Sequence, residues 1–224
     1  FKKNKFLRSG NSKQLLYFSY YPSKSIKKLI KKNVQYYDKR VKKYGNSYLS
    51  LNWGSKNSQL KRFEVLSLIG ILNKKNVLDF GCGLGDLYGW LKSNRKEVFY
   101  TGIDISPEMI KQASTRFPEG KFLIQDIFTV PLEEDFFDYI LMSGVFTYTN
   151  KIFFEKCIEL LFNQCKIGIG FNLLGKTDQC EQGKIDNEFS LSPSEVMIFC
   201  KKFTKKIVFH DNYHYNDFTF FLYK

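Results

Sequence analysis

The sequence predicts an α/β protein built on a doubly wound, mostly parallel sheet. The first observation is the segment 77–85, in which an apolar run reaches Asp79 and then breaks into glycines at alternate positions. An amphipathic stretch follows at once, which is typical of a buried strand, a tight turn and the start of a helix. The second observation is that strand and helix patterns continue to alternate after this turn.

The remaining elements follow in order along the chain. A second strand over residues 98–103 ends at Asp104, and Ser106 caps a helix that has Pro107 in its first position. Further strands are predicted over residues 121–125, 137–142 and 166–171, helices over 152–162 and 193–201, and a final hairpin over 206–210 and 217–223.

The glycine turn favours a ligand that carries a positive centre. A dinucleotide fingerprint would need a third glycine at position 86, where this chain has Asp86, and no Gly-Lys-Ser/Thr follows to make a P-loop. A carboxylate here would repel a pyrophosphate docked on the helix N-terminus. S-adenosylmethionine combines a sulfonium, an amino group, a carboxylate and a nucleoside, and it suits an acidic glycine-rich turn better.

Acids at the ends of the next two predicted strands support a nucleoside. Asp104 lies nineteen positions after Gly85, where an acid is placed to bond ribose hydroxyls. Ile105 follows and can cover one face of an adenine. After the third strand, the Asp126 carboxylate can accept from the adenine amino group, while the Ile127 backbone N–H donates to the ring.

With these residues identified, the chain resembles the class I S-adenosylmethionine-dependent methyltransferases. The matching pieces are residues 77–85, 101–109, 125–126 and 137–145, which stand in the order and spacing of that family. The resemblance covers roughly residues 57–224. It implies a seven-stranded sheet of order 3-2-1-4-5-7-6, with the last strand antiparallel and helices on both faces.

The resemblance also implies where the cofactor lies. Asp79 and the glycine turn are expected by the methionine part, Asp104 by the ribose and Asp126 by the adenine. Trp53, in a segment before the core, is expected to close over the cofactor, although it could instead pack on the first core helix. The predicted cofactor-binding residues are therefore Trp53, Asp79, Gly81, Cys82, Gly83, Gly85, Asp104, Ile105, Asp126, Ile127 and Ser143.

The net charge of +13 is concentrated at the N-terminal end. Residues 1–50 hold 14 Lys and Arg against one acid, Asp38, and the other residues hold equal numbers of both signs. Apolar residues from Ile26 to Tyr44 recur at helical spacing between lysines, which indicates a basic amphipathic helix. We divide the chain into a basic helical lid (1–56) and a methyltransferase domain (57–224). Three roles for the lysines are open. They form the solvated face of a helix docked on the core, they bind nucleic acid through residues 1–50, or they bind an anionic membrane surface.

Composition predicts a compact cytoplasmic enzyme. The chain has 224 residues, of which 43% are hydrophobic, and this is enough for one sizeable core. No apolar run reaches the length of a membrane span, and no signal-peptide pattern is visible. The five cysteines show no C-x-x-C spacing, so we expect reduced thiols and no metal site. Nothing in the sequence indicates the oligomeric state.

The sequence identifies no clear catalytic base. Methyl transfer needs a base only if the acceptor must lose a proton. Tyr148, just beyond the fourth strand, and His214 are weak candidates. His214 and the only other histidine, His210, are predicted in or beside a hairpin turn, which favours surface positions remote from the methyl group.

Three hypotheses about the acceptor remain open. The residues after the fourth strand lack the Asn/Asp-Pro-Pro-Tyr/Phe motif of nucleobase amino-methyltransferases, and no cysteine follows a proline as pyrimidine C5 methylation requires. The first hypothesis is therefore a methyltransferase that acts on an oxygen or nitrogen of a small molecule, with the loop 172–191 shaping the acceptor pocket. The second is an RNA or protein methyltransferase with a basic arm. The third is an inactive cofactor-binding partner subunit.

Overall fold

A computed structural model describes residues 22–175 and 188–224, and these residues form one seven-stranded sheet with helices on both faces. The strands are β1 (Asn76–Phe80), β2 (Phe99–Asp104), β3 (Lys121–Ile124), β4 (Phe137–Met142), β5 (Cys165–Leu174), β6 (Ile207–His210) and β7 (Asp217–Tyr223). The helices are α1 (Lys24–Tyr44), α2 (Lys56–Leu66), α3 (Asp86–Ser93), α4 (Pro107–Arg116), α5 (Lys151–Gln164) and α6 (Pro193–Cys200), with short 3-10 helices over Tyr48–Leu51 and Ser67–Ile69.

The sheet has the order β3-β2-β1-β4-β5-β7-β6, which confirms the order that the resemblance implied. The pairs from β3 to β5 are parallel, whereas β7 is antiparallel to both β5 and β6. Because β7 reverses the direction, the turn between β6 and β7 lies at the same edge as the carboxyl ends of the parallel strands. That edge is where doubly wound sheets bind ligands.

Alternate residues of each strand pack into two apolar clusters, one on each face of the sheet. Leu78 of β1 packs in the cluster that includes Phe154 of α5 and Val196 of α6. Its neighbour Val77 packs in the opposite cluster with Phe63 of α2 and Leu91 of α3. This alternation follows from the two-residue period of a strand, and it makes the sheet the middle layer of three.

Strand β5 continues three residues beyond the predicted end at Phe171. The segment 172–174 was predicted as the start of a loop, and this was wrong because Asn172, Leu173 and Leu174 pair in register with β7. Gly175 then bridges to Leu191. The part of the predicted loop at 176–187 lies outside the described residues, as does Cys180.

Helix α1 confirms the predicted N-terminal helix and lies against the domain. Its Ser23 cap accepts from the Ile26 N–H, and the Gly45 N–H closes the last turn on Val41 O. Ile26 and Val41 are buried, and Asp38 accepts a 2.5 Å hydrogen bond from Ser106 Oγ at the start of α4. The helix is therefore docked across the ligand-binding edge of the sheet.

No helix in the two described stretches has both the length and the apolar character to cross a membrane. Within the same residues, no cluster of histidines, cysteines and acids is placed to hold a metal ion. The cysteines at 82, 157, 165 and 200 are buried free thiols.

Candidate active site

A cavity opens at the carboxyl ends of β1, β2 and β4, and we call it the first cavity. Helix α1 and the segment before α2 cover it. Its lining residues are Asn33, Tyr37, Leu51, Trp53, Gln59, Phe63, Asp79, Phe80, Gly81, Cys82, Gly83, Asp86, Leu87, Ile103, Asp104, Ile105, Met109, Gln125, Ser143, Gly144, Val145, Thr149 and Phe153. Eight of the predicted cofactor-binding residues are among them.

The glycine turn forms a closely packed floor of the first cavity. Gly81 and Gly83 have φ values of +73° and +52°, in the left-handed region. A Cβ on Gly81 would lie 2.8 Å from Val145 Cγ2, and one on Gly83 would lie 2.6 Å from Leu51 Cδ2. The turn is held to β2 because the N–H groups of residues 81 and 82 both donate to Ile103 O. Only glycine leaves room here for the turn and a ligand.

Asp79 presents a buried carboxylate to this cavity without a cationic neighbour among the described residues. The side chain accepts a 2.7 Å hydrogen bond from Tyr100 OH. The pKa of Asp79 is raised to about 7. Burial is the main cause; the Tyr100 hydrogen bond lowers the pKa, and the charges of Asp104 and Asp86 add to the rise. A ligand that brought a positive charge here would supply the missing partner.

Asp86, in the same region, already has its charge compensated. Asp86 is buried, and its Oδ1 lies 3.0 Å from Arg116 Nη2 and 3.5 Å from Lys56 Nζ. Gln59 Nε2 also donates to it at 3.0 Å. The two acids at the ends of the glycine turn therefore differ: Asp86 fastens α2, α3 and α4 together, while Asp79 has no cationic partner among the described residues.

Asp104 stands at the end of β2 and fixes the glycine turn. Its two carboxylate oxygens accept from the Gly83 N–H at 2.9 Å and the Ser106 N–H at 2.8 Å. Burial raises its pKa, and these backbone hydrogen bonds oppose the rise. Ile105 follows into the cavity lining. Each oxygen keeps a lone pair for a further donor, so the ribose role remains open to Asp104.

Three predicted cofactor residues lie outside the lining of the first cavity. Gly85 caps α3 on the far side of the turn, where its Cβ would meet the ring of Phe122. Asp126 accepts from the Phe128 N–H at 2.9 Å, and Ile127 is buried in the core. Gln125 is the β3-end residue that lines the cavity. The adenine roles of Asp126 and Ile127 stay predictions.

Two residues at the end of β4 and one before α2 form the far wall of the first cavity. Ser143 Oγ is buried and has no hydrogen-bond partner among the described residues. A Cβ on Gly144 would lie 2.6 Å from the Trp53 ring. The Arg62 guanidinium lies over the same indole, 4.6 Å from the ring centroid. The glycine cradle, the unpaired Asp79 and the unpartnered Ser143 fit a cofactor with an ammonium group and several acceptors.

A second cavity of about 300 Å³ adjoins the first, and Trp53 and Gly144 line both. We call it the second cavity. Its remaining lining residues are Asn52, Gly54, Ser55, Ser58, Arg62, Phe146, Thr147, Asn172, Leu173, Leu174, Glu188, Phe189, His214 and Asp217. Its lining combines apolar side chains with hydrogen-bonding groups.

A buried ion pair and a buried amide are among the polar groups that line the second cavity. Arg62 and Asp217 are both buried and in direct contact. Burial raises the pKa of Asp217 to about 6, and Arg62 limits the rise. Asn172 accepts from the Gly144 N–H at 2.9 Å, while its Nδ2 has no partner in the described residues. An amide donor is therefore available at the boundary between the cavities.

The two catalytic candidates are placed differently. Tyr148 lines neither cavity; its hydroxyl meets Asn52 Nδ2 and its ring packs 5.0 Å from that of Tyr36. Burial raises the pKa of Tyr148, so it stays protonated and is a poor base. His214 lines the second cavity, whereas the ring of His210 packs 5.3 Å from that of Phe221. The expectation that both histidines lie away from the site therefore fits His210 and not His214.

Helix α1 supplies lining residues that the sequence did not identify. Asn33 and Tyr37 both line the first cavity, and Asn33 Nδ2 donates to Tyr148 O at 3.0 Å. Helical spacing placed Tyr37 on the apolar face. The contact made by that face depends on how the helix docks, and a pattern within one helix does not predict this.

Comparisons with known proteins agree with the fold and with the predicted class. Residues 77–168 match the family model described as a methyltransferase domain. A protein of Mycobacterium tuberculosis named as a methyltransferase is 27% identical over 163 residues, which is 69% of this chain and 96% of that protein. The demethylmenaquinone methyltransferase of Thermotoga maritima is 31% identical over 107 residues, which is 48% of this chain and 46% of that enzyme.

A solved structure agrees as well. The magnesium protoporphyrin IX methyltransferase of Synechocystis PCC 6803, crystallised with bound S-adenosylhomocysteine, has a TM-score of 0.64 at 14% identity, over 88% of this chain and 99% of that one. The predicted class is therefore confirmed at the level of the domain and the fold: residues 77–168 match a methyltransferase domain, and the sheet has the class I fold of a neighbour crystallised with S-adenosylhomocysteine, which supports S-adenosylmethionine as the cofactor.

Proposed function

We propose that this enzyme transfers the methyl group to an oxygen or nitrogen of a small-molecule acceptor. The observation that carries the proposal is the pair of adjoining cavities with Trp53 and Gly144 as a common wall. In the proposal the first cavity holds the cofactor and the second holds the acceptor. The names of the Thermotoga and Synechocystis relatives also indicate small-molecule substrates.

The size of the second cavity favours a small acceptor. A cavity of about 300 Å³ is at the lower end of the range for small-molecule sites. Methyl transfer from a sulfonium is an in-line displacement, so much of the catalysis comes from aligning the acceptor with the methyl carbon and the sulfur. In the proposal, Asp79 holds the cofactor's ammonium, Asp104 binds its ribose, and the second cavity orients the acceptor.

Replacing Asp104 by alanine is expected to weaken S-adenosylmethionine binding by about 10- to 150-fold. The expectation rests on the 1.5–3 kcal/mol that one hydrogen bond to a charged group contributes, in order of magnitude. Isothermal titration calorimetry measures the affinity. Because Asp104 also holds the Gly83 N–H, the unfolding temperature of the variant is measured alongside.

Asp211→Ala, which removes an exposed acid from the β6–β7 turn, is the matched control and should bind as the wild type does. An Asp104→Ala protein that folds normally and binds the cofactor with unchanged affinity would contradict the ribose assignment.

A second candidate function rests on the outer face of α1. Its exposed lysines are Lys24, Lys27, Lys28, Lys31, Lys32, Lys39, Lys42 and Lys43. The one acid of the helix, Asp38, is turned inward to Ser106. A helix face with eight exposed lysines fits a nucleic-acid backbone, so the second candidate is RNA as the substrate.

Salt dependence separates this candidate from the first. If α1 binds RNA, replacing Lys28, Lys31, Lys32 and Lys39 by glutamine lowers the slope of log affinity against log salt by about 0.7 for each phosphate that is no longer neutralised. Fluorescence anisotropy with a labelled 20-nucleotide RNA measures that slope. The matched control removes the same charge from the exposed Lys96, Lys111, Lys201 and Lys205. Equal slopes in the two variants remove the support for an RNA substrate.

A further inference from the structure

His214 is the one histidine of this chain that reaches a cavity beside the proposed methyl donor. It lies in the turn between β6 and β7, and the antiparallel return of β7 brings this turn to the edge where β5 ends. Leu174, the last residue of β5, pairs with Asp217, three residues after His214. The position of the histidine at the second cavity is therefore a consequence of the sheet topology.

The hydrogen bond of His214 leaves one ring nitrogen available as a base. Its Nδ1 lies 3.1 Å from the Tyr215 carbonyl oxygen. A carbonyl can only accept, so Nδ1 carries the proton in this contact, and the neutral ring then has its lone pair on Nε2. Fixing one nitrogen in this way is how proteins set the tautomer of a functional histidine.

The other titratable groups that line the second cavity, among the described residues, are less suitable as bases. Asp217 is in contact with the buried Arg62 guanidinium, which holds its negative charge. Glu188 is exposed and lies 3.5 Å from Tyr148 OH. His214 is partly buried at the cavity.

The charges of the cavity also argue against a carboxylate acceptor. Arg62, the one cation among its described lining residues, is already paired with Asp217, and Glu188 adds a negative charge. A carboxylate would meet net repulsion, and it would need no base. The aromatic lining residues Trp53 and Phe146 favour instead a flat apolar body that carries a hydroxyl.

We propose that the second cavity binds a hydroxylated ring compound and that His214 Nε2 removes its hydroxyl proton during methyl transfer. The O–H bond breaks and its proton passes to Nε2. The oxygen electron pair forms the new O–CH₃ bond, and the S–CH₃ bond breaks with its electron pair left on sulfur, giving the methyl ether and S-adenosylhomocysteine. The imidazolium then returns the proton to solvent. This inference rests on the proposed function.

Nuclear magnetic resonance can test the tautomer and the binding directly, because the chain has only two histidines. The full protein, with ¹⁵N in its histidine rings and saturated with S-adenosylhomocysteine, is titrated with phenol as the probe. The expected result is that His214 has its proton on Nδ1 and that phenol shifts the Nε2 signal of His214 while His210 stays unmoved. A proton on Nε2, or a phenol response absent from His214, overturns the proposal.

Catalysis is tested with S-adenosylmethionine and phenol by measuring the anisole formed. His214→Gln is expected to slow the reaction about 100-fold, the lower range for removal of a general base, and to weaken phenol binding only about fivefold, the worth of one neutral hydrogen bond. His210→Gln, which changes a histidine outside both cavities, should react as the wild type does.

Equal rates in His214→Gln and the wild type overturn the role of His214 as base. No anisole from the wild type, or methylation of benzoate in place of phenol, overturns the acceptor class. Calorimetry with S-adenosylhomocysteine keeps these outcomes separate from a failure of the proposed function, because cofactor binding does not depend on His214.

Discussion

Replacing Arg62 by methionine is expected to lower the free energy of unfolding by about 3–5 kcal/mol, the usual cost of removing one partner of a buried ion pair. Arg62 and Asp217 are both buried and in contact between α2 and β7. Arg62 Nη1 also donates to Ser58 O at 3.1 Å. Methionine fills a similar volume, so the destabilisation comes mainly from the charge of Asp217 that is left uncompensated.

The destabilisation should grow with pH. In the wild type the pKa of Asp217 is about 6, because burial raises it and Arg62 limits the rise. Without Arg62 this pKa rises further, so the variant keeps a proton on Asp217 at low pH and loses stability relative to the wild type as pH increases above about 6. Urea unfolding at pH 5 and pH 8 measures the difference, with the larger effect expected at pH 8.

The neighbouring Lys61 provides the matched control. It pairs with Glu64 on the exposed side of the same helix at 2.8 Å, and an exposed pair of this kind contributes about 0.2–1 kcal/mol at most. Lys61→Met should therefore unfold almost as the wild type does. Equal destabilisation in Lys61→Met and Arg62→Met would show that the buried pair does not stabilise the fold as described.

S-adenosylmethionine affinity is expected to rise by about tenfold between pH 6 and pH 8. The pKa of Asp79 is raised to about 7, first by burial and then by the charges of Asp104 and Asp86. If Asp79 holds the cofactor's ammonium as proposed, binding requires the ionised carboxylate, whose fraction rises about tenfold over this range. The raised pKa of Asp79 also makes the cofactor-free protein less stable as pH rises from about 4 to 7. Over this range the folded state holds a proton on Asp79 that the unfolded state has released.

Asp79→Asn should remove this pH dependence and lower the affinity at pH 8 by about 30-fold or more, because it truncates a buried charge pair. Calorimetry at three pH values measures both effects. Asp138→Asn is the control, because Asp138 is a buried acid at the opposite end of β4, where it accepts from the Asn76 N–H at 3.0 Å. A wild-type affinity that does not change with pH would refute the role given to Asp79.

Much of the fold could be predicted from local pattern. The apolar runs and turn signals placed β4 and β7 at the residues where they lie, and Ser106 caps helix α4 as expected. These features depend on neighbouring residues only. The strand order came from the resemblance, because local pattern does not encode which strands pair.

The second cavity could not be predicted in the same way. Arg62 and Lys61 are adjacent basic residues, and only the docking of α2 on β7 makes one buried and the other exposed. His214 looked remote because a hairpin turn is usually a surface feature. The antiparallel last strand, which the resemblance already implied, was the signal that could have placed that turn beside the site.

The most direct test of the account is a crystal structure of the protein with S-adenosylhomocysteine. The ligand is expected in the first cavity, with its amino group at Asp79, its ribose at Asp104 and its sulfur facing the wall formed by Trp53 and Gly144. A ligand bound elsewhere, or bound with its sulfur directed away from the second cavity, would contradict it.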